Sequence, residues 1–137
     1  MAPLTPSIHV PIAAQIDVER AREMARGVAR DLGFMPAEVA SIGVAVSELA
    51  TNLVRHAVGG EIDVMALNTP TGTGIQVESR DAGPGITDTV AALRDGFSTS
   101  GGLGSGLPGV RRLMDEFNLT STPAGTRVVC RKWLDRP

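Results

Sequence analysis

Two glycine-rich stretches and one polar pair on an apolar segment are the residues of this chain best suited to chemistry. The first stretch is Asp-Ala-Gly-Pro-Gly at residues 81–85, and the second is Gly-Gly-Leu-Gly-Ser-Gly at residues 101–106. Glycine lets a ligand approach the backbone closely, and the second stretch runs into a helix predicted from Leu107. Because a helix N-terminus has free N–H groups and partial positive charge, the pattern predicts an anion cradle within a nucleotide site.

A flexible linker is the alternative for residues 101–106. Leu103 and Leu107 interrupt the glycines, and apolar residues continue on one helical face after them, which is not typical of a linker. The stretch is not a P-loop, because that motif requires Gly-Lys-Ser/Thr and the only lysine of the chain is Lys132. The pattern therefore favours phosphate binding by backbone N–H groups.

Glu48 and Asn52 lie at the margin of an apolar stripe on a predicted helix. Their spacing places them about 6 Å apart along the axis and about 40° apart around it, hence on one face. A partly desolvated carboxylate keeps enough basicity to take a proton from a hydroxyl or water, and a neutral amide oxygen suits Mg²⁺. A surface glutamate and a helix-interior asparagine with local hydrogen bonds are the alternative.

Asp81 ends a predicted strand and precedes Gly83 and Gly85. Its carboxylate could accept a hydrogen bond from an exocyclic amine such as that of adenine, while the two glycines let the ring lie against the backbone. An ordinary Asx turn is the alternative, because Asp before glycine is common in turns. The residues alone leave both interpretations open.

Composition limits the class of protein. The chain has 137 residues, a net charge of -2, three Phe, one Trp and no Tyr. This length predicts one domain, residues 1–137, that buries about two-thirds of its unfolded surface. Without a basic field or stacking aromatics we expect no nucleic-acid partner, and without some eighteen consecutive apolar residues we expect no membrane span. The single cysteine, Cys130, excludes an internal disulfide and fits a cytoplasmic location.

Hydrophobic periodicity predicts an α/β two-layer sandwich, with helices on one face of a mostly antiparallel mixed sheet. Asp17 is expected to cap the first helix, and Gly33 to end it in the left-handed conformation. Residues 1–6 are expected to be flexible. The predicted elements are strands at 8–12, 61–67, 74–79, 118–122 and 126–133, a turn at 68–72, and helices at 17–33, 36–57, 87–94 and 107–116.

Four motifs in this order resemble the N, G1, G2 and G3 boxes of the GHKL, or Bergerat-fold, superfamily of ATPases and kinases. They are Ser-Glu-Leu-Ala-Thr-Asn at 47–52, Asp-Ala-Gly-Pro-Gly-Ile at 81–86, Gly-Gly-Leu-Gly-Ser-Gly-Leu at 101–107 and Gly-Thr at 125–126. The likeness spans about residues 17–133, and the ordered set is more specific than any one box. The segment 104–117 is similar to anti-sigma-factor serine/threonine kinases, particularly the RsbT-type switch kinase of the stressosome.

The resemblance implies roles for individual residues. Glu48 would be the general base, Asn52 the Mg²⁺ ligand and Asp81 the acceptor for the adenine amine. Residues 96–105 would form the ATP lid. The phosphates of ATP would lie against the second glycine stretch, at Gly102, Leu103, Gly104, Ser105 and Gly106.

The adenine end of the site is implied in the same way. Gly83 and Gly85 would shape the adenine pocket, and Thr126 would support it through Asp81 or a water. Arg55, on the same helix as the base, is either a contact for an acidic group of a partner or a solvated side chain.

The function implied is an ATP- and Mg²⁺-dependent serine/threonine protein kinase. Its substrate would be a STAS-domain antagonist or scaffold protein in a partner-switching stress pathway, and a PP2C-type phosphatase and a sigma factor are further candidate partners. One alternative is nucleotide-gated sequestration of a sigma factor without chemistry. Another is a histidine-kinase catalytic domain or gyrase-like ATPase fragment, which the absence of a phosphoacceptor helix pair and a transducer domain disfavours.

Overall fold

The computed structural model describes residues 7–56, 59–83 and 106–134, without the side chain of His56. The predicted helix at 87–94, the predicted lid and residues 1–6 lie outside the described residues. The described helices are α1 (Gln15–Leu32), α2 (Pro36–His56) and α3 (Leu107–Leu113), and the strands are β1 (Ser7–Ile12), β2 (Gly60–Thr69), β3 (Gly72–Arg80), β4 (Glu116–Thr122) and β5 (Gly125–Trp133).

The five strands form one sheet in the order β1-β2-β3-β5-β4. The pairings between these described strands are all antiparallel, so the parallel component of the predicted mixed sheet is absent from this part of the chain. Strand β1 lies at one edge, as predicted, and contains Pro11, which has no N–H to donate. The last strand, β5, lies between β3 and β4 and so borders the end of β3.

The core lies between the helices and one face of the sheet, which confirms the predicted two-layer α/β sandwich. Helices α1 and α2 pack on each other and on the strands. Every second side chain of β2, β3 and β5 is buried on that face, and the opposite face carries exposed ion pairs such as that of Arg127 with Glu78. The predicted apolar stripe of α2 is buried at Val39, Ile42, Val46, Leu49 and Leu53.

Helix α2 is more apolar than the sequence analysis allowed. By length and composition alone its residues 36–55 could cross a membrane, although they include Glu38 and Glu48 and are not eighteen consecutive apolar residues. The buried stripe of α2 packs against α1, the sheet and α3. Burial in the protein core accounts for this composition.

The start of α1 corrects the prediction for Asp17. The N-cap residue is Ala14, and Asp17 lies at the third helical position, where its Oδ2 accepts the N–H groups of Ala13 and Ala14 at 2.9 and 3.0 Å. These bonds, the one from Ala13 first, lower the pKa of Asp17. An acidic side chain satisfies free N–H groups from this position as well as from the N-cap, so residue type alone did not place it. Gly33 ends the helix with φ 98°, as predicted.

The other corrections concern element ends. The β2–β3 ladder continues to Thr69 and Gly72, so the turn is narrower than the predicted 68–72. Helix α3 ends at Leu113 rather than near 116, and β4 begins at residue 116 rather than 118. The N–H of Asp115 donates to the carbonyl of Arg131 in β5 at 2.9 Å. This backbone N–H is therefore not available for the hydrogen bond that a longer helix would form. Strand pairing, which local sequence does not display, decides these ends.

Candidate nucleotide site

The Glu48 carboxylate is the point where α2 meets the end of the second glycine stretch. Its Oε2 accepts the N–H of Gly106 at an N–O distance of 3.0 Å, across 58 residues of sequence. Glu48 and Asn52 are both half-buried on α2, one turn apart. The structure therefore brings the predicted base to the predicted phosphate-binding stretch.

Gly106 has a backbone conformation that only glycine adopts readily. It is the residue before α3, with φ 72° and ψ -148°, and its carbonyl accepts the N–H of Val110. This conformation directs its N–H at Glu48. In this arrangement the Gly106 N–H is used by Glu48, and the predicted contact of Gly106 with phosphate stays a prediction.

Burial of the Glu48 carboxyl raises its pKa above the usual 4.5. The N–H of Gly106 and the positive charge of Arg55 act in the opposite direction, and burial is the larger effect. A raised pKa makes the carboxylate a stronger base than an exposed glutamate. Arg55 is exposed, and its positive charge lowers the pKa of Glu48. The spacing of the two residues in the sequence did not establish this interaction.

Asp81 joins the end of β3 to the start of β5. Its N–H donates to the carbonyl of Thr126 at 3.0 Å, and its Oδ1 accepts the N–H groups of Gly83 at 2.8 Å and Thr126 at 3.3 Å. The bond to Gly83 is the predicted Asx-type turn. Because neither bond uses Oδ2, the turn is compatible with an acceptor role for that oxygen.

Residues 125–126 hold Asp81 through their backbone. A Cβ on Gly125 would overlap the carbonyl oxygen of Asp81, so only glycine allows this approach. The Thr126 hydroxyl pairs with Ser121 Oγ at 3.0 Å, so Thr126 supports Asp81 by its main chain rather than by its side chain. Sequence analysis placed Thr126 near Asp81 by resemblance, and the strand order provides the physical reason.

The remaining predicted site residues divide into two sets. Asn52 lies in the described part, but its binding of Mg²⁺ stays a prediction. Among the described residues no group of three His, Cys, Asp or Glu is placed to hold a metal. Mg²⁺ commonly uses one or two protein ligands together with phosphates and waters, so the Asn52 amide fits an ion that arrives with a nucleotide. The second set lies outside the described residues: Gly85, Gly102, Leu103, Gly104 and Ser105.

Sequence reasoning missed Lys132. Its side chain points to the inner face of β5, is 8% exposed, and donates from Nζ to the carbonyl of Leu113 at 2.9 Å. Leu113 is the last residue of α3. The sequence did contain an indication of its burial. In a strand of alternating residues, this lysine lies on the same face as the apolar residues Val128 and Cys130.

Comparison with known proteins identifies the family. Residues 12–132 match the histidine kinase-like ATPase domain, and the chain belongs to that family. The chain is 45% identical over 126 residues to the serine/threonine-protein kinase RsbT of Bacillus subtilis (strain 168). The aligned region covers 91% of this chain and 95% of that protein. The chain is also 32% identical over 119 residues to an anti-sigma F factor of Thermoanaerobacter sp. (strain X514), and the aligned region covers 83% of each chain.

A solved structure supports the same fold. The crystal structure of the RsbU and RsbW domains of a Mycobacterium tuberculosis protein superposes with a TM-score of 0.65 at 21% identity. The match covers 96% of this chain and 33% of that chain, so this chain spans about one third of its length. The solved structure supports the fold alone. The family match and the 45% identity to RsbT confirm the resemblance to GHKL kinases and the class of serine/threonine protein kinase, and membership of the family implies the use of ATP.

The close approach at Gly125 predicts opposite effects for two Gly→Ala substitutions. Gly125→Ala should lower the free energy of unfolding by about 2 kcal/mol or more, because its Cβ displaces Asp81. Gly27→Ala in α1, where a Cβ meets nothing within 4 Å, should raise it by about 0.5–1 kcal/mol. Urea unfolding monitored by circular dichroism measures both. An unchanged stability for Gly125→Ala contradicts the close approach.

The raised pKa of Glu48 predicts a pH-dependent gain in stability for Glu48→Gln. The folded protein holds this proton more tightly than the unfolded chain does, so the wild type loses stability as the pH rises from 4.5 through the raised pKa of the folded state, and the neutral variant does not. The comparison is made at about pH 7 to 8 and repeated at lower pH. We expect a higher Tm for Glu48→Gln at the higher pH, and a gain that disappears as the pH falls below 4.5, where wild-type Glu48 is protonated in both states.

Glu38→Gln is the control for this measurement, because Glu38 is an acid of the first turn of the same helix and stabilises its N-terminus. We expect no gain in Tm for this variant. A Tm of Glu48→Gln at or below the wild-type value at every pH contradicts the raised pKa.

Proposed function

We propose that this serine/threonine kinase phosphorylates a STAS-domain antagonist or scaffold protein in the cytoplasm, in a partner-switching stress pathway of the stressosome type. The pathway would control a sigma factor or a PP2C-type phosphatase. The observation that carries the proposal is the hydrogen bond between Glu48 and Gly106, because it brings a partly buried carboxylate to the end of the glycine stretch. The name of the Bacillus subtilis relative supports the kinase chemistry.

Glu48 would act as the general base for the substrate hydroxyl. Burial raises its pKa, and the Gly106 N–H holds one carboxylate oxygen, Oε2. The second oxygen, Oε1, would take the proton of a serine or threonine as its oxygen attacks. Orientation of the base by a backbone donor would reduce the reorganisation that proton transfer requires.

The adenine end would depend on Asp81. The N–H groups of Gly83 and Thr126 both bind Oδ1, which orients the carboxylate and directs Oδ2 to the exocyclic amine. Bound ATP and Mg²⁺ would supply the phosphoryl group and neutralise its charge, with Asn52 as the protein ligand of the ion. We propose residues 1–137 as one domain and residues 96–105 as its lid.

Nucleotide-gated sequestration of a sigma factor is the second candidate, and the likeness to an anti-sigma F factor favours it. Both candidates need the nucleotide site. They differ in the use of Glu48, because only phosphoryl transfer requires a base. Substitution of Glu48 therefore separates them.

The proposed roles of Glu48 and Asn52 predict two separable losses. We expect Glu48→Gln to keep ATP affinity and to lose about 10²–10⁴-fold in phosphoryl transfer. Asn52→Ala should lose the Mg²⁺-dependent part of ATP affinity. The purified chain is mixed with Mg²⁺ATP and STAS-domain proteins encoded near its gene, phosphate is located by mass spectrometry, and affinity is measured by calorimetry.

Glu38→Gln is the control for the loss of one carboxylate from α2 and should transfer phosphate at the wild-type rate. Full activity of Glu48→Gln would exclude the general base. Absence of phosphorylation by the wild type, with nucleotide-dependent binding of a sigma factor, would favour sequestration.

The geometry of Asp81 predicts the selectivity for adenine. In Asp81→Asn the Oδ1 acceptor and its two backbone bonds are preserved, while Oδ2 becomes an NH₂ donor that faces the adenine amine. We expect wild type to prefer ATP over GTP by about a hundredfold or more. Asp81→Asn should bind ATP about tenfold or more weakly without unfolding. Displacement of a fluorescent ATP analogue measures both, and equal competition by GTP would reduce Asp81 to a turn residue.

A further inference from the structure

Lys132 is a buried cation that the proposed mechanism does not use. It is the only lysine of the chain and is 8% exposed on the inner face of β5. Burying an ammonium group is costly unless polar groups compensate it. Its Nζ donates to the Leu113 carbonyl at 2.9 Å, at the C-terminus of α3, where the helix dipole favours a positive charge.

Helix α3 connects this lysine to the candidate base. It has seven residues and is therefore only about 10 Å long. Its first residues are buried in the core, and the residue before it, Gly106, donates to Glu48. The first four residues of this helix are buried, Arg111 and Arg112 are exposed, and a helix of only about two turns moves as one body. Displacement of its C-terminus at Leu113 would therefore also displace the N–H of Gly106.

Strand β5 holds both parts of the site. Near its start Thr126 binds Asp81, and near its end Lys132 binds α3. These positions lie six residues apart in one strand, about 20 Å along its axis. One continuous strand thereby connects Asp81 with the C-terminus of α3.

We propose that Lys132 is a positioning residue for phosphoryl transfer: its hydrogen bond to the Leu113 carbonyl anchors α3 and so holds the Gly106 N–H against Glu48. The inference rests on the proposed function, because it assumes that Glu48 acts in the reaction. Lys132 touches neither Glu48 nor the reacting atoms in this account. It acts through the position of the helix.

Lys132→Met tests this inference in the full chain, because methionine keeps the length and apolar stem and removes the donor. We expect kcat for the STAS-domain substrate to fall about tenfold to a hundredfold. The Gly106 amide resonance in ¹⁵N–¹H spectra should move toward its position in Glu48→Ala, which lacks the acceptor, and amide exchange at Gly106 should accelerate. Arg131→Met is the matched control, because it removes the neighbouring cation from the opposite face of β5, where it contacts Gln76 and Glu116.

Arg131→Met should keep the wild-type kcat and Gly106 resonance. Lys132→Arg, which keeps a donor, should recover most of the rate and the resonance. If Lys132→Met does not fold, Lys132→Gln is measured instead, and its shorter neutral donor should give an intermediate loss of both quantities.

Two results would overturn the positioning role. One is a wild-type kcat and Gly106 resonance in the folded Lys132 variant. The other is a lower kcat with an unchanged Gly106 resonance, which would mean that Lys132 acts by another route. The spectra do not depend on the substrate. Failure of the proposed kinase reaction, seen as full activity of Glu48→Gln or no substrate phosphorylation, is therefore distinguishable from failure at Lys132.

Discussion

The hydrogen bond from the Gly106 N–H to the Glu48 carboxylate is the interaction on which the arrangement of the site depends. Glu48 is half-buried on α2, where ionisation is disfavoured, and the backbone N–H that offsets part of this cost comes from the start of α3. Burial remains the larger effect, so the pKa stays above its usual range. The contact with Gly106 therefore sets the direction of the carboxylate, and burial sets its basicity.

The position of β5 between β3 and β4 explains how distant segments meet. Antiparallel pairing with β3 places Thr126 beside Asp81, and the short connection from α3 into β4 places Leu113 beside Lys132. Helices α1 and α2 cover the same face of the sheet that carries Lys132. The candidate nucleotide site thus combines the end of β3, the start of β5 and the contact between α2 and α3.

The relatives of this chain include a serine/threonine kinase and anti-sigma factors, and one physical scheme accommodates both kinds of protein. Binding a nucleotide requires an acceptor for its base and donors for its phosphates, whereas transfer of the phosphoryl group also requires a basic carboxylate at a defined place. In the proposed function Asp81 meets the first requirement and Glu48 meets the second. In this chain the carboxylate is present, oriented by Gly106 and made more basic by burial.

The sequence by itself determined the alternation of helices and strands, the two-layer α/β class and the edge position of β1, and it supplied the residues proposed to bind a nucleotide. These depend on periodicity and residue type, which are local. The tertiary structure decided the end of α3, the position of Asp17 at the third helical residue, the pairing of Glu48 with Gly106 and the burial of Lys132. These depend on contacts between segments far apart in sequence, where strand pairing and burial compete with local preference and determine the outcome.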